Sequence, residues 1–197
     1  MSAAYEIHGH AIVSDDDRIA DAAGVMPTAL RNAADWQRFQ ASLARAAVVV
    51  LGRKGHLAHP NTHRRNRLVV SSSAHNIDRR DDAWWWNPAE VTLADALATA
   101  APAGGRVIVP GGRRVYDLFL VYGFDEFHLT RARGVLIPGG VPVFTECTPL
   151  RPADEVLASR GLVPDPVEIL DADAGVSLTV WRRHRPRAEL KEPRAKG

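Results

Sequence analysis

Two stretches of this sequence end a β-branched apolar run in glycine and follow it at once with fixed positive charge. They are Val48-Val49-Val50-Leu51-Gly52-Arg53-Lys54 and Val107-Ile108-Val109-Pro110-Gly111-Gly112-Arg113-Arg114-Val115-Tyr116. A buried strand that stops at glycine lets backbone N–H groups approach a ligand closely, and a helix opening there presents the positive end of its dipole. Phosphate is the chemistry such junctions serve, and a nucleotide cofactor is the first expectation. Ser71 and Ser72 close another apolar run, residues 68–70. With Arg53 and Lys54 they make a donor set able to grip a dianionic phosphate through charge-assisted hydrogen bonds. The plain alternatives are that Arg53 is solvent-facing turn charge and that Gly111-Gly112 only makes a tight strand-to-helix turn, which itself favours glycine. Gly52 directly before Arg53 favours the functional reading.

Asp35 is the carboxylate best placed for chemistry. It opens residues 35–46, where Trp36, Phe39 and Leu43 share one helical face. Its plain role is that of a helix-start aspartate. Its functional role is an acid one helical turn before an aromatic ring, able to favour protonation of a bound substrate. The eight histidines carry no metal signature. His8 and His10 alternate onto one strand face, and His56, His59 and His63 lack a Cys or carboxylate to complete a set, so no metal is expected. Cys147 has no triad partners and reads as structural.

The elements that must position these residues follow from periodicity. Strands are expected at 7–13, 48–51, 68–70, 84–86, 106–109 and 126–131, and helices at 35–46, 92–101 and 113–121. Alternation of strand and helix implies βαβ crossovers and a mainly parallel sheet. After Pro149 the pattern changes to two strands, 167–170 and 177–181, expected as an antiparallel hairpin at the sheet edge. Within Trp84-Trp85-Trp86 alternation implies core packing plus one exposed ring. Residues 14–32 have no clear period, and so long an irregular loop after a core strand is expected to be functional. A chain of 197 residues with 46% hydrophobic and 24% charged content suits one domain, residues 1–184. The Pro- and charge-rich residues 185–197 read as a basic, disordered tail. A single cysteine, no apolar run of membrane-spanning length and no signal-peptide pattern at the start point to the cytoplasm.

Four motifs in order carry a family resemblance: Val-Val-Val-Leu-Gly-Arg-Lys at 48–54, Arg-Leu-Val-Val-Ser-Ser at 67–72, Pro-Gly-Gly-Arg-Arg-Val-Tyr at 110–116 and Asp-Glu-Phe-His-Leu-Thr at 125–130. Together they resemble the dihydrofolate reductase family, which includes the reductase half of riboflavin-pathway deaminase-reductases. The resemblance runs from about Ala11 to Phe144, and more loosely through the final hairpin. It implies an α/β fold of the dihydrofolate reductase kind: a central, mostly parallel sheet flanked by helices, with a C-terminal antiparallel hairpin. It also implies an oxidoreductase in which NADPH donates a hydride to a C=N bond of a dihydropterin, at C6, with a proton delivered to N5. Asp35 would be the substrate-anchoring acid and Thr130 the hydroxyl supporting it. Phe39, Arg65 and Pro110 would meet the substrate. Ala11, Ile12, Gly52, Arg53, Lys54, Ser71, Ser72, Gly111, Gly112, Arg113, Arg114, Val115 and Tyr116 would meet the cofactor, with a cis Gly111-Gly112 peptide.

The chain departs from the family at several of these places. Gly55 and His56 follow Arg53-Lys54 where a Thr and an aromatic are usual, Thr28 replaces a tryptophan after Met26-Pro27, and Pro110 replaces an apolar residue. Arg65 lies in the basic segment His63-Arg64-Arg65-Asn66-Arg67, where plain solvated charge is an equal reading. Reduction of dihydromethanopterin or of the riboflavin-pathway ribosylaminopyrimidine are the alternatives within the enzyme class. A nucleotide- or nucleic-acid-binding module is the alternative outside it, without a zinc module, RNA-recognition signature or helix-turn-helix to support it. The expected partner is a small pterin, with no specific nucleic acid and no membrane, for a monomer or homodimer.

Overall fold

A computed structural model describes residues 3–184 of the chain, so the expected tail at 185–197 lies outside the described residues. The chain runs through β1 (Tyr5–Ser14), β2 (Arg18–Ala20), α1 (Ala33–Ala44), β3 (Val48–Gly52), α2 (Arg53–Ala58), β4 (Arg67–Val70), β5 (Ile77–Arg80) and β6 (Ala83–Trp86). It continues through α3 (Leu93–Ala100), β7 (Gly105–Val109), α4 (Arg113–Tyr122), β8 (Glu126–Ala132), β9 (Val141–Pro142), α5 (Ala153–Ser159), β10 (Leu162–Pro164), β11 (Glu168–Asp171) and β12 (Val176–Arg183).

The main sheet has the order β10-β12-β8-β1-β7-β3-β4-β6-β5, with β11 also on β12. From β8 to β6 every pairing is parallel; β12 joins β8 antiparallel, and β5 joins β6 antiparallel. A parallel sheet is buried on both faces, and β3 shows why its sequence reads as a continuous apolar run. Val48 and Val50 join the larger core with α3, α4 and α5, whereas Val49 and Leu51 join a smaller one with Leu43 of α1. The larger core holds Phe119, Phe124, Phe127 and Phe144, all at 0% exposure, each contributing roughly 1.5–3 kcal/mol of burial.

On the α1 side the pattern changes at two neighbouring interior strands. β1 and β8 present His8, His10, Glu126, His128 and Thr130 by their alternation and register, in place of aliphatic side chains. This polar strip lies where the site forms.

The expected hairpin is present as β11 and β12. Trp86 and Trp85 are buried and Trp84 is half-buried, so the one exposed ring expected of this run is absent: both faces of β6 are covered. Helix α1 starts at Ala33 because Asn32 accepts from the N–H groups of Ala34 and Asp35, at 3.0 and 3.1 Å. Trp36, assigned to the buried face of that helix, is instead 58% exposed. The stretch 14–32 is also more ordered than its sequence implies. β2 pairs with β9, residues 28–30 form a 3-10 turn, and the buried Asp17 bonds the Ala153 N–H at 3.0 Å and pairs with Arg131 at 2.9 Å. Only residues 22–26 form a continuous exposed run. The short elements α2, β5, β9, α5 and β10 were not anticipated, being too brief to establish a period. Among the described residues no helix is long and apolar enough to cross a membrane.

Candidate active site

Parallel pairing brings the C-terminal ends of β7, β3 and β4 side by side, so Pro110-Gly111-Gly112, Gly52-Arg53-Lys54 and Ser71-Ser72 share one edge of the sheet. In open α/β sheets that edge is where ligands sit. Gly111 has φ +97°, and a Cβ there would lie 2.5 Å from the Tyr116 ring, so this turn closes only with glycine. The Gly111–Gly112 peptide is cis, as the resemblance implied. Gly52 packs against α4, where an added Cβ would meet Val115 at 3.3 Å.

Helix α4 opens with no side-chain cap and no acid in its first turn, and its first two residues are Arg113 and Arg114. Its leading N–H groups and two guanidinium groups are the donor chemistry a dinucleotide's phosphates take, so the residues present fit NADPH. Arg53 and Lys54 are exposed at the equally uncapped start of α2. Ser71 departs from the expected cradle. It is buried, its Oγ lies 2.8 Å from Ser73 Oγ, and it accepts the Ser73 N–H at 3.2 Å, so its hydroxyl holds its own turn. Ser72 is exposed beside it.

Adjoining this edge, between α1 and the sheet, is a cavity of about 1080 Å³. It gathers Ala11, Ile12, Asp35, Phe39, Arg65, Pro110, Gly111, Gly112, Tyr116 and Thr130 from positions as much as 119 residues apart. Gly52, Arg53, Lys54, Ser71, Ser72, Arg113, Arg114 and Val115 do not line it. They lie at or behind the outer edge just described, so the expected residues divide between the cavity and that edge.

Asp35 is half-buried in the wall of the cavity. Burial raises its pKa above the ordinary carboxylate value, against the opposing pull of the Thr130 hydroxyl bonded to it and of Arg38 and His128 nearby. The helix does not depend on Asp35 for its cap, since Asn32 performs that role. Phe39 lies one turn on, its ring 5.8 Å from Trp36 and 5.7 Å from His10. Tyr116 is fully buried, and its hydroxyl donates to the His10 carbonyl, tying α4 to β1 beneath the cavity.

At the far end, Arg65 bonds Gln40 at 2.8 Å, while Arg67 reaches His56 at 3.2 Å and the His59 carbonyl at 2.8 Å. Both residues line the cavity; Arg65 is held by a neutral partner, so its charge can face an anionic substituent, whereas Arg67 also feels the Asp82 carboxylate.

Sequence reasoning missed His10 and His128 as cavity residues. Their rings stack at 4.2 Å and 15°, and burial, with the neighbouring His128 and His8, pushes the His10 pKa down to about 2. Donor atoms of His128, His8 and Glu126 also lie within 4.8 Å of one another, a grouping that the sequence spacing did not bring out. The only signal was a His-x-His and a Glu-x-His that are far apart in sequence. The register His8↔Glu126 and His10↔His128 is what joins them.

The strand order, the crossovers and the glycine turn at the sheet edge define a dihydrofolate reductase-like α/β fold. Solved structures agree. A protein assigned to riboflavin biosynthesis from Shewanella sp. PV-4 superposes with a TM-score of 0.64 at 20% identity, covering 91% of this chain and 99% of its own. Dihydrofolate reductase from Enterococcus faecalis, complexed with NADP(H) and RAB-propyl, gives 0.64 at 15% identity over 91% of this chain and 97% of its own. The Thermotoga maritima diaminohydroxyphosphoribosylaminopyrimidine deaminase/5-amino-6-(5-phosphoribosylamino)uracil reductase gives 0.63 at 15% identity over 91% of this chain, which spans 57% of that longer protein. Neither a protein-family model nor a curated protein matches the sequence.

Proposed function

We propose that the protein is an NADPH-dependent reductase of a dihydropterin. The observation that carries this reading is Asp35: a half-buried carboxyl with a raised pKa, bonded to Thr130, in a cavity that also contains the Gly111-Gly112 turn. Bound NADPH would supply the hydride, received at C6 of the pterin. Asp35 would hold the amino-pyrimidine edge of the ring, with Thr130 fixing the orientation of its carboxyl group. A carboxyl that keeps its proton above the usual range favours N5 protonation as the hydride arrives. Phe39 would pack on the ring and help exclude water. Arg113 and Arg114 at the start of α4 would take the pyrophosphate, and Arg53, Lys54 and Ser72 the adenosine 2′-phosphate. The E. faecalis neighbour, a dihydrofolate reductase holding NADP(H), supports this reading through the shared fold.

A second reading, reduction of a ribosylaminopyrimidine, is favoured by Arg65, whose neutral partner Gln40 leaves its charge to meet a phosphate at the far end of the cavity. Two of the three structural neighbours, one linked to riboflavin biosynthesis and one a uracil reductase, also favour it.

Asp35→Asn tests the mechanism. It should leave the fold and NADPH binding intact while slowing hydride transfer to a dihydropterin by about 10²–10⁴-fold, a defect that shrinks at low pH as solution acid supplies the proton. Near-wild-type reduction by the folded variant would refute the role of Asp35.

A further inference from the structure

We infer that His8, Glu126 and His128 form a binding site for one first-row divalent cation of the Zn²⁺ class, independent of whether the cavity is a pterin site. One donor atom from each residue lies within 4.8 Å of the other two. The parallel register places His8 opposite Glu126, and His128, two residues further along β8, returns its side chain to the same face. Glu126 Oε2 is 3.5 Å from His8 Nδ1 and 3.2 Å from His128 Nε2. Two ligands bound at about 2.0–2.2 Å in a tetrahedral shell stand roughly 3.3–3.5 Å apart, so the two Glu126–His separations already match a shared ion, and the two imidazoles, within 4.8 Å of each other, need only close on it. As a hydrogen bond the 3.5 Å contact is too long.

The supporting groups also fit. His8 turns its other nitrogen toward Glu6, 3.7 Å away, and Glu126 gives its second oxygen to Arg182. Such outer partners set the orientation of metal-binding side chains. Glu6, Glu126 and Asp165 stand against Arg106 and Arg182, an excess of one negative charge around the three donors. His10, stacked on His128 at 4.2 Å, restrains that ring. Two imidazoles and one carboxylate suit zinc and its first-row neighbours, whereas calcium and magnesium take oxygen shells. Three protein ligands leave room for water in the shell, and an ion can enter where the Glu126 and His128 side chains keep 22% and 19% exposure.

The test is titration of the chelator-treated full chain with Co²⁺, read by its visible ligand-field absorption, with Zn²⁺ as competitor. One equivalent should bind saturably and be displaced by Zn²⁺. His128→Ala and Glu126→Gln should each weaken binding by at least the roughly 10–100-fold that loss of an outer-shell partner costs. The double variant His59→Ala/His63→Ala, which alters exposed histidines of the cavity mouth, should not. In the wild type, Zn²⁺ should shift the imidazole proton resonances of His8 and His128 and leave those of His59 and His63 in place, a readout independent of whether any variant folds. Absence of saturable Co²⁺ binding, absorption that survives both ligand variants, or shifts confined to His59 and His63 would overturn the site.

Discussion

Asp35 sits where ionisation is disfavoured, beside a hydroxyl and a cationic side chain that partly restore it. That balance has a consequence for stability as well as for catalysis. Its folded pKa is raised above the unfolded value of about 3.9, so the protonated form is fully accommodated below that value. The stability it preserves is lost as pH rises through the folded pKa. Asp35→Asn removes this dependence. The melting temperature of the variant minus that of the wild type should therefore climb across that window and flatten above it; a difference independent of pH would show that burial does not perturb Asp35. Arg53 is exposed at the cofactor edge, and Arg53→Ala should weaken NADPH, measured by fluorescence titration, by roughly 1.5–3 kcal/mol. NADH affinity should hardly change, and equal weakening of both would exclude a 2′-phosphate contact. At this scale Asp35, Phe39 and the glycine pair were legible because their chemistry lies in short spacings. The self-engaged Ser71 hydroxyl and the His8–Glu126–His128 grouping were not, since one depends on a turn's internal bonding and the other on the register between two strands.

The elements that carry the site are parallel strands ending together and helices starting where those strands stop. Uninterrupted apolar runs made these strands readable, and β3 needs such a run because its two faces enter different cores. The segment after β1 was harder. Its polar, alanine-rich composition hides the fact that Asp17 is buried and bonded to β8 and to the start of α5, which pins the first half of the loop. What is left is an exposed tip around Val25 and Met26, and Met26 itself lines the cavity. If this tip closes over bound ligands, amide exchange at residues 21–28 should slow when NADPH and a substrate analogue bind together, with little change at 17–20. Unchanged exchange at 21–28 in the ternary complex would remove the lid.

Across the whole molecule the sheet divides labour between its faces. One is packed with phenylalanines against α3, α4 and α5; the other, beneath α1, gives up aliphatic packing at β1 and β8 for a histidine-rich floor. The dihydrofolate reductase-like fold was readable because four motifs in order constrain topology strongly, whereas the substrate was not, because the cavity wall that holds Arg65 and Arg67 comes from a basic segment whose spacing specifies no ligand. Reduction of a dihydropterin by NADPH in this cavity is the reaction we propose. It is tested most directly by following NADPH oxidation with dihydrofolate, dihydromethanopterin and the ribosylaminopyrimidine phosphate side by side. Substrate-dependent oxidation is expected with a dihydropterin, much faster with NADPH than with NADH. Oxidation with the pyrimidine alone, or with none of the three, would contradict it.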